Sequence, residues 1–308
     1  MKTSAVRVTN EVSIPIDRII CNDALAALSE FPSEIVDTIV TSPPYYKQKD
    51  YLHPEQIGME ESGDLYIENL VNVFQECFRV LKRKGTLWLN IGDKYDGGRL
   101  MGMPWRVALA LCGSGWILRS DVIWWKPNAM PSSVKNRLTC DHEYIFLLAK
   151  SDDYYFDTDS IREPHVTFTE ESRMKGGRNH FGKRGGTPEK GKNAGNSNLH
   201  TARWDQAFHP NGRNKRTVWR VSLSKFPDAH FAVFPEQLIA PCILAGSPEN
   251  GLVLDPFIGS GTTALAASRL RRHFIGIDIS EKYCQMANER IAGHTLELPL
   301  SYQRSNQL

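Results

Sequence analysis

Short apolar runs alternate with amphipathic stretches over both ends of the chain. Runs at Arg18–Cys21, Asp37–Thr41, Gly85–Ile91, Ile117–Trp125 and Tyr144–Ala149 predict strands. Asp64–Leu81 and Trp105–Leu111 carry helical spacing, the first with Leu65, Leu70, Phe74, Phe78 and Leu81 along one face. Further on, the pattern predicts a helix over Pro235–Ala245 and a short buried strand at Leu252–Leu254. A helix over Thr262–Arg271, a strand at His273–Ile277 and a helix over Glu281–Ile291 follow. Strands alternating with helices imply an α/β fold: a doubly wound, mainly parallel sheet covered on both faces. Ligands of such sheets sit at the carboxyl ends of the strands, so residues there carry the candidate chemistry.

The middle of the chain breaks this alternation. From Gly176 to Gly195 there are seven glycines and no aliphatic residue larger than alanine, a stretch expected to be a mobile loop. The expected organisation is therefore α/β over 1–160, an insert over 161–226, and α/β again over 227–308. Composition adds little until it is divided the same way. The 308 residues carry a formal net charge of only +2. Yet between Ile161 and Lys225 fourteen Lys or Arg face five acids, so that segment is +9 and the remainder −7. The insert is thus a candidate phosphate-binding region. Six scattered cysteines without a C-x-x-C pair indicate neither a zinc site nor a disulfide framework. With no apolar run of membrane-spanning length and no apolar leader at the first residues, a cytoplasmic protein is expected.

Leu252 to Thr263, LVLDPFIGSGTT, combines a buried strand, a glycine turn and a helix start. Gly259 and Gly261 allow close backbone approach to a ligand, and the first helical turn presents unpaired N–H groups. Asp278 ends the next strand 19 residues after Gly259, where a carboxylate can accept hydrogen bonds from ribose hydroxyls. Gly259, Gly261 and Ala264 also satisfy the loose dinucleotide pattern, which keeps an oxidoreductase as an alternative. Asp255, however, would repel a diphosphate and suits an ammonium group. A nucleoside bearing an amino acid, S-adenosylmethionine, fits better.

The second motif is Thr41-Ser42-Pro43-Pro44-Tyr45-Tyr46, an apolar strand stopped by two prolines. The rigid turn can aim the Ser42 hydroxyl and the Pro43 carbonyl at one point. Two acceptors gripping an exocyclic amine of a nucleobase would free its lone pair for attack. Tyr45 offers a ring on which an extruded base stacks.

TSPPY followed by DPFIGSGTT resembles the β-group amino-methyltransferases of DNA, which methylate cytosine N4 or adenine N6. The likeness extends through the intervening segments GTLWLNIGD, GWILRSDVIWWKPNAMP, RLTCDHEYIFLLAKS and HFAVFPEQLIAPCILAGSPENGLVLDPF. It implies a seven-stranded methyltransferase sheet of permuted order, with Ser42, Pro43, Pro44 and Tyr45 as the catalytic loop. It implies a cofactor pocket lined by Asp255, Phe257, Gly259, Gly261 and Thr262. Asp278 would face the ribose, Asp23 the adenine amine, and His230 and Phe231 would help close the pocket. Ile258 departs from the family's usual alanine and should crowd the loop slightly. His142 and Glu143 match a motif at the edge of the base pocket.

Within the resemblance, S-P-P-Y is typical of cytosine-N4 enzymes and D-P-P-Y of adenine-N6 enzymes, so N4 is expected and N6 is the alternative. C5-cytosine chemistry would need a nucleophilic cysteine after a proline; Pro241-Cys242 lies in a predicted helix and reads as core. Transfer should be direct and need no metal. The insert becomes the target-recognition region of a base-flipping enzyme on double-stranded DNA, with Lys183, Arg184, Arg213, Lys215 and Arg216 as candidate DNA contacts. A restriction endonuclease would be a separate chain. A non-catalytic DNA-binding protein on the same frame is the remaining alternative.

Overall fold

The structure, a computed structural model, describes residues 14–51, 53–164, 211–223 and 234–294. The chain divides into two units: Met1–Asp157 with Thr217–Ser301, and Thr158–Arg216 with Tyr302–Leu308.

The first unit is built on one sheet of eight strands. They are β1 (Arg18–Cys21), β2 (Val36–Thr41), β3 (Leu81–Ile91), β6 (Ile117–Trp125), β7 (His142–Ala149), β8 (Val218–Arg220), β9 (Leu252–Asp255) and β10 (His273–Asp278). Their order is β1-β10-β9-β2-β3-β7-β6-β8. The run from β1 to β3 is parallel, β7 is antiparallel to both β3 and β6, and β8 runs parallel to β6. β4 (Tyr95–Asp96) and β5 (Arg99–Leu100) form a separate small hairpin.

Seven strands were expected, and the eighth is β8. Three residues are too few to show a period. It is held because Trp219 buries itself beside Trp88, at 6.5 Å between ring centroids, and because Trp124 Nε1 donates to the Val221 carbonyl at 2.8 Å.

Helices α1 (Ala24–Ser29), α2 (Gly63–Val80) and α3 (Met103–Gly113) share one core with alternate strand residues Leu87, Leu89 and Ile91. Among the described residues the remaining α-helices are α4 (Glu236–Gly246), α5 (Thr262–Arg269) and α6 (Glu281–His294). α4 lies so close to the opposite face that a Cβ on Gly246 would sit 2.5 Å from Thr38 Oγ1.

Of the face expected for α2, Leu70, Phe74 and Leu81 are buried and Phe78 packs against the core; the departure is at Leu65. Tyr66, Leu70, Val73, Phe74, Cys77 and Val80 are its buried residues, whereas Leu65 is 42% exposed. A tyrosine displaces a leucine from the core side because its hydroxyl finds a carbonyl there, that of Pro44 at 2.8 Å. Cys242 lies within α4 with no exposed surface, so Pro241-Cys242 is core and no nucleophile for C5 chemistry.

In the second unit the described residues are Thr158–Pro164 and Asn211–Arg216. A bridge joins Glu163 to Arg213, and the Glu163 carboxylate also pairs with Arg213 (3.2 Å) and Lys215 (3.4 Å). Of the five cations expected to grip DNA, three are described: Arg213 and Lys215 pair with this acid, and Arg216 is exposed. Lys183, Arg184, His230, Phe231 and the glycine-rich stretch lie outside the described residues. Among the described residues no helix is long and apolar enough to cross a membrane.

Candidate active site

The sheet order, rather than the chain order, creates the site. β9 lies beside β2, with Ile39 opposite Leu254, so segments more than 200 residues apart end side by side. Beyond these carboxyl ends lies a cavity of about 550 Å³. Its wall includes Ser42, Pro43, Pro44 and Tyr45 from the loop after β2, and Phe257 to Ser260 with Thr262 from the loop after β9. Asp278, the last residue of β10, and Asp23, ahead of α1, complete the walls used below.

Asp278 shapes the glycine turn while facing the cavity. Its carboxylate accepts the Gly259 N–H at 2.9 Å and the Ser280 N–H at 2.9 Å. Burial raises this carboxyl above its ordinary value, against the pull of those two donors and of Lys49. Gly259 adopts φ +52°, and a Cβ there would meet nothing within 4 Å, so the turn is open on the side where a ligand approaches. Gly261 is required for the opposite reason. At φ +85° its Cβ would lie 2.9 Å from the Ala287 Cβ and 3.0 Å from the Ala287 Cα of α6. Arg290 of α6 braces the turn, donating to the Ser260 carbonyl (2.7 Å), Ser260 Oγ (2.8 Å) and Thr262 Oγ1 (3.2 Å). Ile258, expected to crowd the loop, lines the cavity and also packs over Gly276, where a Cβ would be 2.7 Å from Ile258 Cγ1.

Asp23 serves in two ways. Its Oδ1 caps α1 by accepting the Ala26 N–H at 2.9 Å, and its side also lines the cavity. Lys49 and Tyr283, neither evident from sequence, stand across from Asp278, with Lys49 Nζ donating to the Tyr283 hydroxyl at 2.6 Å.

Asp255 behaves differently from the expectation of a direct ligand contact. It is 1% exposed and is absent from the cavity wall. Its two oxygens accept Thr41 Oγ1 (2.6 Å), Thr263 Oγ1 (2.6 Å) and the Phe257 N–H (3.0 Å). The residue fastens the glycine loop to the end of β2, and so holds the two functional loops against each other. Burial outweighs these three donors and pushes its carboxyl up from 3.8 to about 6. A raised carboxyl favours the protonated form in the fold. The stability it contributes is full below about pH 4 and lost as pH rises through about 6, on the order of 2–3 kcal/mol. Denaturant unfolding of the wild type and Asp255→Asn between pH 4 and 7 checks this. The wild type should lose stability relative to the variant across that window, and a constant difference would show that the group does not titrate there.

The Ser42–Tyr45 loop is fixed from below and from the side. Tyr66 holds the Pro44 carbonyl, as described above. The Tyr45 hydroxyl contacts Glu143 Oε2 at 2.7 Å, Ser42 Oγ at 3.2 Å and Asn90 Oδ1 at 3.3 Å. Asn90 Nδ2 donates to Glu143 Oε2 (3.2 Å) and to the Tyr144 carbonyl (3.1 Å), and Lys126 Nζ pairs with Glu143 Oε1. Burial, then the Glu143 charge, pushes the Tyr45 phenol well above its ordinary value, so it stays protonated. Of the two adjacent residues His142 and Glu143, only Glu143 lines the cavity; His142 points instead to Asp141 at 3.5 Å. Strand alternation separates them. Asn90 and Lys126 lie in the segments GTLWLNIGD and GWILRSDVIWWKPNAMP that carry the resemblance, but neither was singled out as a site residue, although each sits at or just beyond the carboxyl end of a recognised strand.

A cavity at the carboxyl ends of a mainly parallel sheet, between a glycine turn and a Ser-Pro-Pro-Tyr loop, is the architecture of the S-adenosylmethionine-dependent methyltransferase fold. The chain belongs to the DNA methylase family, whose model matches residues 36–289. It is 40% identical to the Type II methyltransferase M.SmaI of Serratia marcescens, over 89% of this chain and 90% of that one. It is 38% identical to the Type II methyltransferase M.Cfr9I of Citrobacter freundii, over 88% and 86%. Among solved structures, a DNA modification methylase of Thermus thermophilus, TTHA0409, complexed with S-adenosyl-L-methionine superposes with a TM-score of 0.59 at 25% identity, covering 92% of this chain and 98% of that one. The PvuII DNA methyltransferase (cytosine-N4-specific) shares the fold with a TM-score of 0.62 at 20% identity, over 92% and 87%. The protein is a DNA methyltransferase of the N4/N6 family and its cofactor is S-adenosylmethionine. The open side of Gly259, with Asp278 and Asp23 on the same wall, fits that cofactor.

Proposed function

We propose that the protein methylates N4 of cytosine in double-stranded DNA, with the target nucleotide turned out of the helix into the cavity, as the modification enzyme of a restriction–modification pair. The Ser42 hydroxyl carries this reading. An ionised carboxylate can only accept, so Glu143 takes the one proton of Tyr45 at 2.7 Å. Tyr45 then has no proton for Ser42, and in their 3.2 Å contact Ser42 must donate. Ser42 thus turns lone pairs alone towards a partner in the cavity. Such an oxygen, beside the Pro43 carbonyl, selects a group with two N–H bonds. An exocyclic amine is that group, and a neutral hydroxyl at the head of the loop suits the cytosine amine.

Bound S-adenosylmethionine supplies an electrophilic methyl group. The chain contributes alignment: Ser42 and Pro43 fix the amine, Tyr45 offers its ring to the extruded base, and the Asp255 contacts fix the distance between the two loops. The +9 insert would hold the duplex through Arg213, Lys215, Arg216, Lys183 and Arg184, and an unchanged salt slope of DNA binding after neutralising the first three overturns their placement. The Type II naming of both relatives supports the modification role, with the endonuclease as a separate partner chain.

Digestion of enzyme-treated DNA to nucleosides, with chromatography and mass analysis, should yield N4-methyldeoxycytidine resolved from its C5 isomer. N6-methyldeoxyadenosine would overturn the choice of base, and no N-methylated nucleoside would overturn the reading itself.

A further inference from the structure

The same hydrogen bonds run along the cavity wall from Ser42 to Glu143. Ser42, Tyr45 and Glu143 come from two separate parts of the sheet, yet each proton position on them is assigned by its neighbour. Ser42 donates to Tyr45, and Tyr45 donates to a carboxylate whose charge is balanced by Lys126 and which accepts a further bond from Asn90. Lys126 is itself placed over the Trp124 ring, 4.3 Å from its centroid. Gly92 leaves room for this packing, since a Cβ there would lie 2.7 Å from Tyr45 Cε2 and 3.3 Å from Glu143 Cγ.

We propose that Glu143 is the final acceptor of the proton released in the reaction, reached from the amine through Ser42 and Tyr45. The proposal rests on the reading of the site as an amine methyltransferase and deepens it. As the amine lone pair forms the new N–CH3 bond, the S–CH3 bond breaks and its electron pair stays on sulfur. The nitrogen, now cationic, gives one proton to Ser42 Oγ. The original Ser42 proton passes to Tyr45 and the original Tyr45 proton to Glu143 Oε2, which ends as a neutral acid. No other co-reactant is needed, and Glu143 afterwards returns its proton to solvent. The phenol's raised value suits a relay: Tyr45 passes a proton on without resting as phenolate. Glu143 and Lys126 act through Tyr45 and are positioning residues; Ser42 touches the amine. The titratable groups beside Glu143 are Tyr45 from the loop after β2 and Lys126 from the end of β6, with His142 and Tyr144 as its neighbours on β7.

Single-turnover methylation of a DNA duplex, at saturating S-adenosylmethionine across a pH series and in light and heavy water, tests the relay. For the wild type the rate should decline on the acid side and show a solvent isotope effect arising from more than one proton. Glu143→Gln should be slower by about a hundredfold, and its remaining rate should no longer decline on the acid side. Tyr45→Phe, which keeps the ring, should be slowed similarly and lose the multi-proton isotope effect, with cofactor affinity unchanged in both. A wild-type acid decline in Glu143→Gln, or a wild-type isotope effect in Tyr45→Phe, overturns the proposal. Should Glu143→Gln fail to fold, Tyr45→Phe decides alone. Failure of the relay remains distinct from failure of the amine reading, because only the latter removes the N-methylated nucleoside from the wild-type product.

Discussion

Ser42→Ala should lower the methyl-transfer rate roughly a hundred- to a thousandfold, the usual effect of removing one preorganised hydrogen-bonding partner from a reacting group. The loop itself should survive, because Pro43 and Pro44 set its direction and Tyr66 holds the Pro44 carbonyl independently of the serine. S-adenosylmethionine affinity should therefore stay within about twofold of the wild type, the loss falling on the chemical step. Single-turnover kinetics beside cofactor titration separate these quantities. A loss of affinity as large as the loss of rate would mean that Ser42 belongs to cofactor binding and that the amine assignment is wrong. Ser42→Thr, which keeps the hydroxyl, should retain most of the activity that alanine removes.

The second large effect is expected at Asp278. This carboxylate accepts two backbone N–H groups, from Gly259 and Ser280, while it lines the cavity. Asp278→Ala removes an acceptor for the ribose and releases the glycine turn from its template. Charge-assisted hydrogen bonds are worth about 1.5–3 kcal/mol each, so losing those expected from the two ribose hydroxyls to this carboxylate should raise the dissociation constant at least about a hundredfold. Calorimetric titration with S-adenosylmethionine reads this directly. An affinity unchanged from the wild type would place the ribose elsewhere in the cavity. Because Asp278 ends an edge-proximal strand and Asp255 a central one, thermal unfolding should change less for Asp278→Ala than for Asp255→Ala, which would strand three donors in the core.

Much of this architecture was legible in the chain. The strand runs recur in the structure within a few residues, and both functional loops lie at strand ends. Each loop was readable because its constraints sit in consecutive residues: Ser-Pro-Pro-Tyr stops a ladder, and Gly-Ser-Gly-Thr turns a strand into a helix. What was missed depends on contacts between segments. Only Leu65 of the expected α2 face was misjudged, because Tyr66 is drawn inward by a carbonyl that only the tertiary fold supplies. Asp255 read as a ligand because acid and glycine lie close in sequence; its burial follows from the neighbouring strand, which brings Thr41 to it. Asn90 and Lys126 join Glu143, which the resemblance had marked, across three adjacent strands or their ends, and no local pattern shows that strand order assembles the three. β8 and the β4–β5 hairpin are too short for any period to show.

The strand order also governs when the molecule can be completed. β1 pairs with β10, and β2 takes β9 as its neighbour on one side, so the first strands synthesised wait for the last. A growing chain that has not reached residue 252 has β1 without its partner and one flank of β2 uncovered, an unpaired apolar edge of the kind that invites aggregation. Closing such distant pairs makes assembly slow relative to a locally connected fold. The acid that fastens the two loops, Asp255, and the acid that templates the glycine turn, Asp278, arrive with those same late strands. The tie between the two loops and the template of the glycine turn are therefore acquired only when these last strands fill the centre of the sheet.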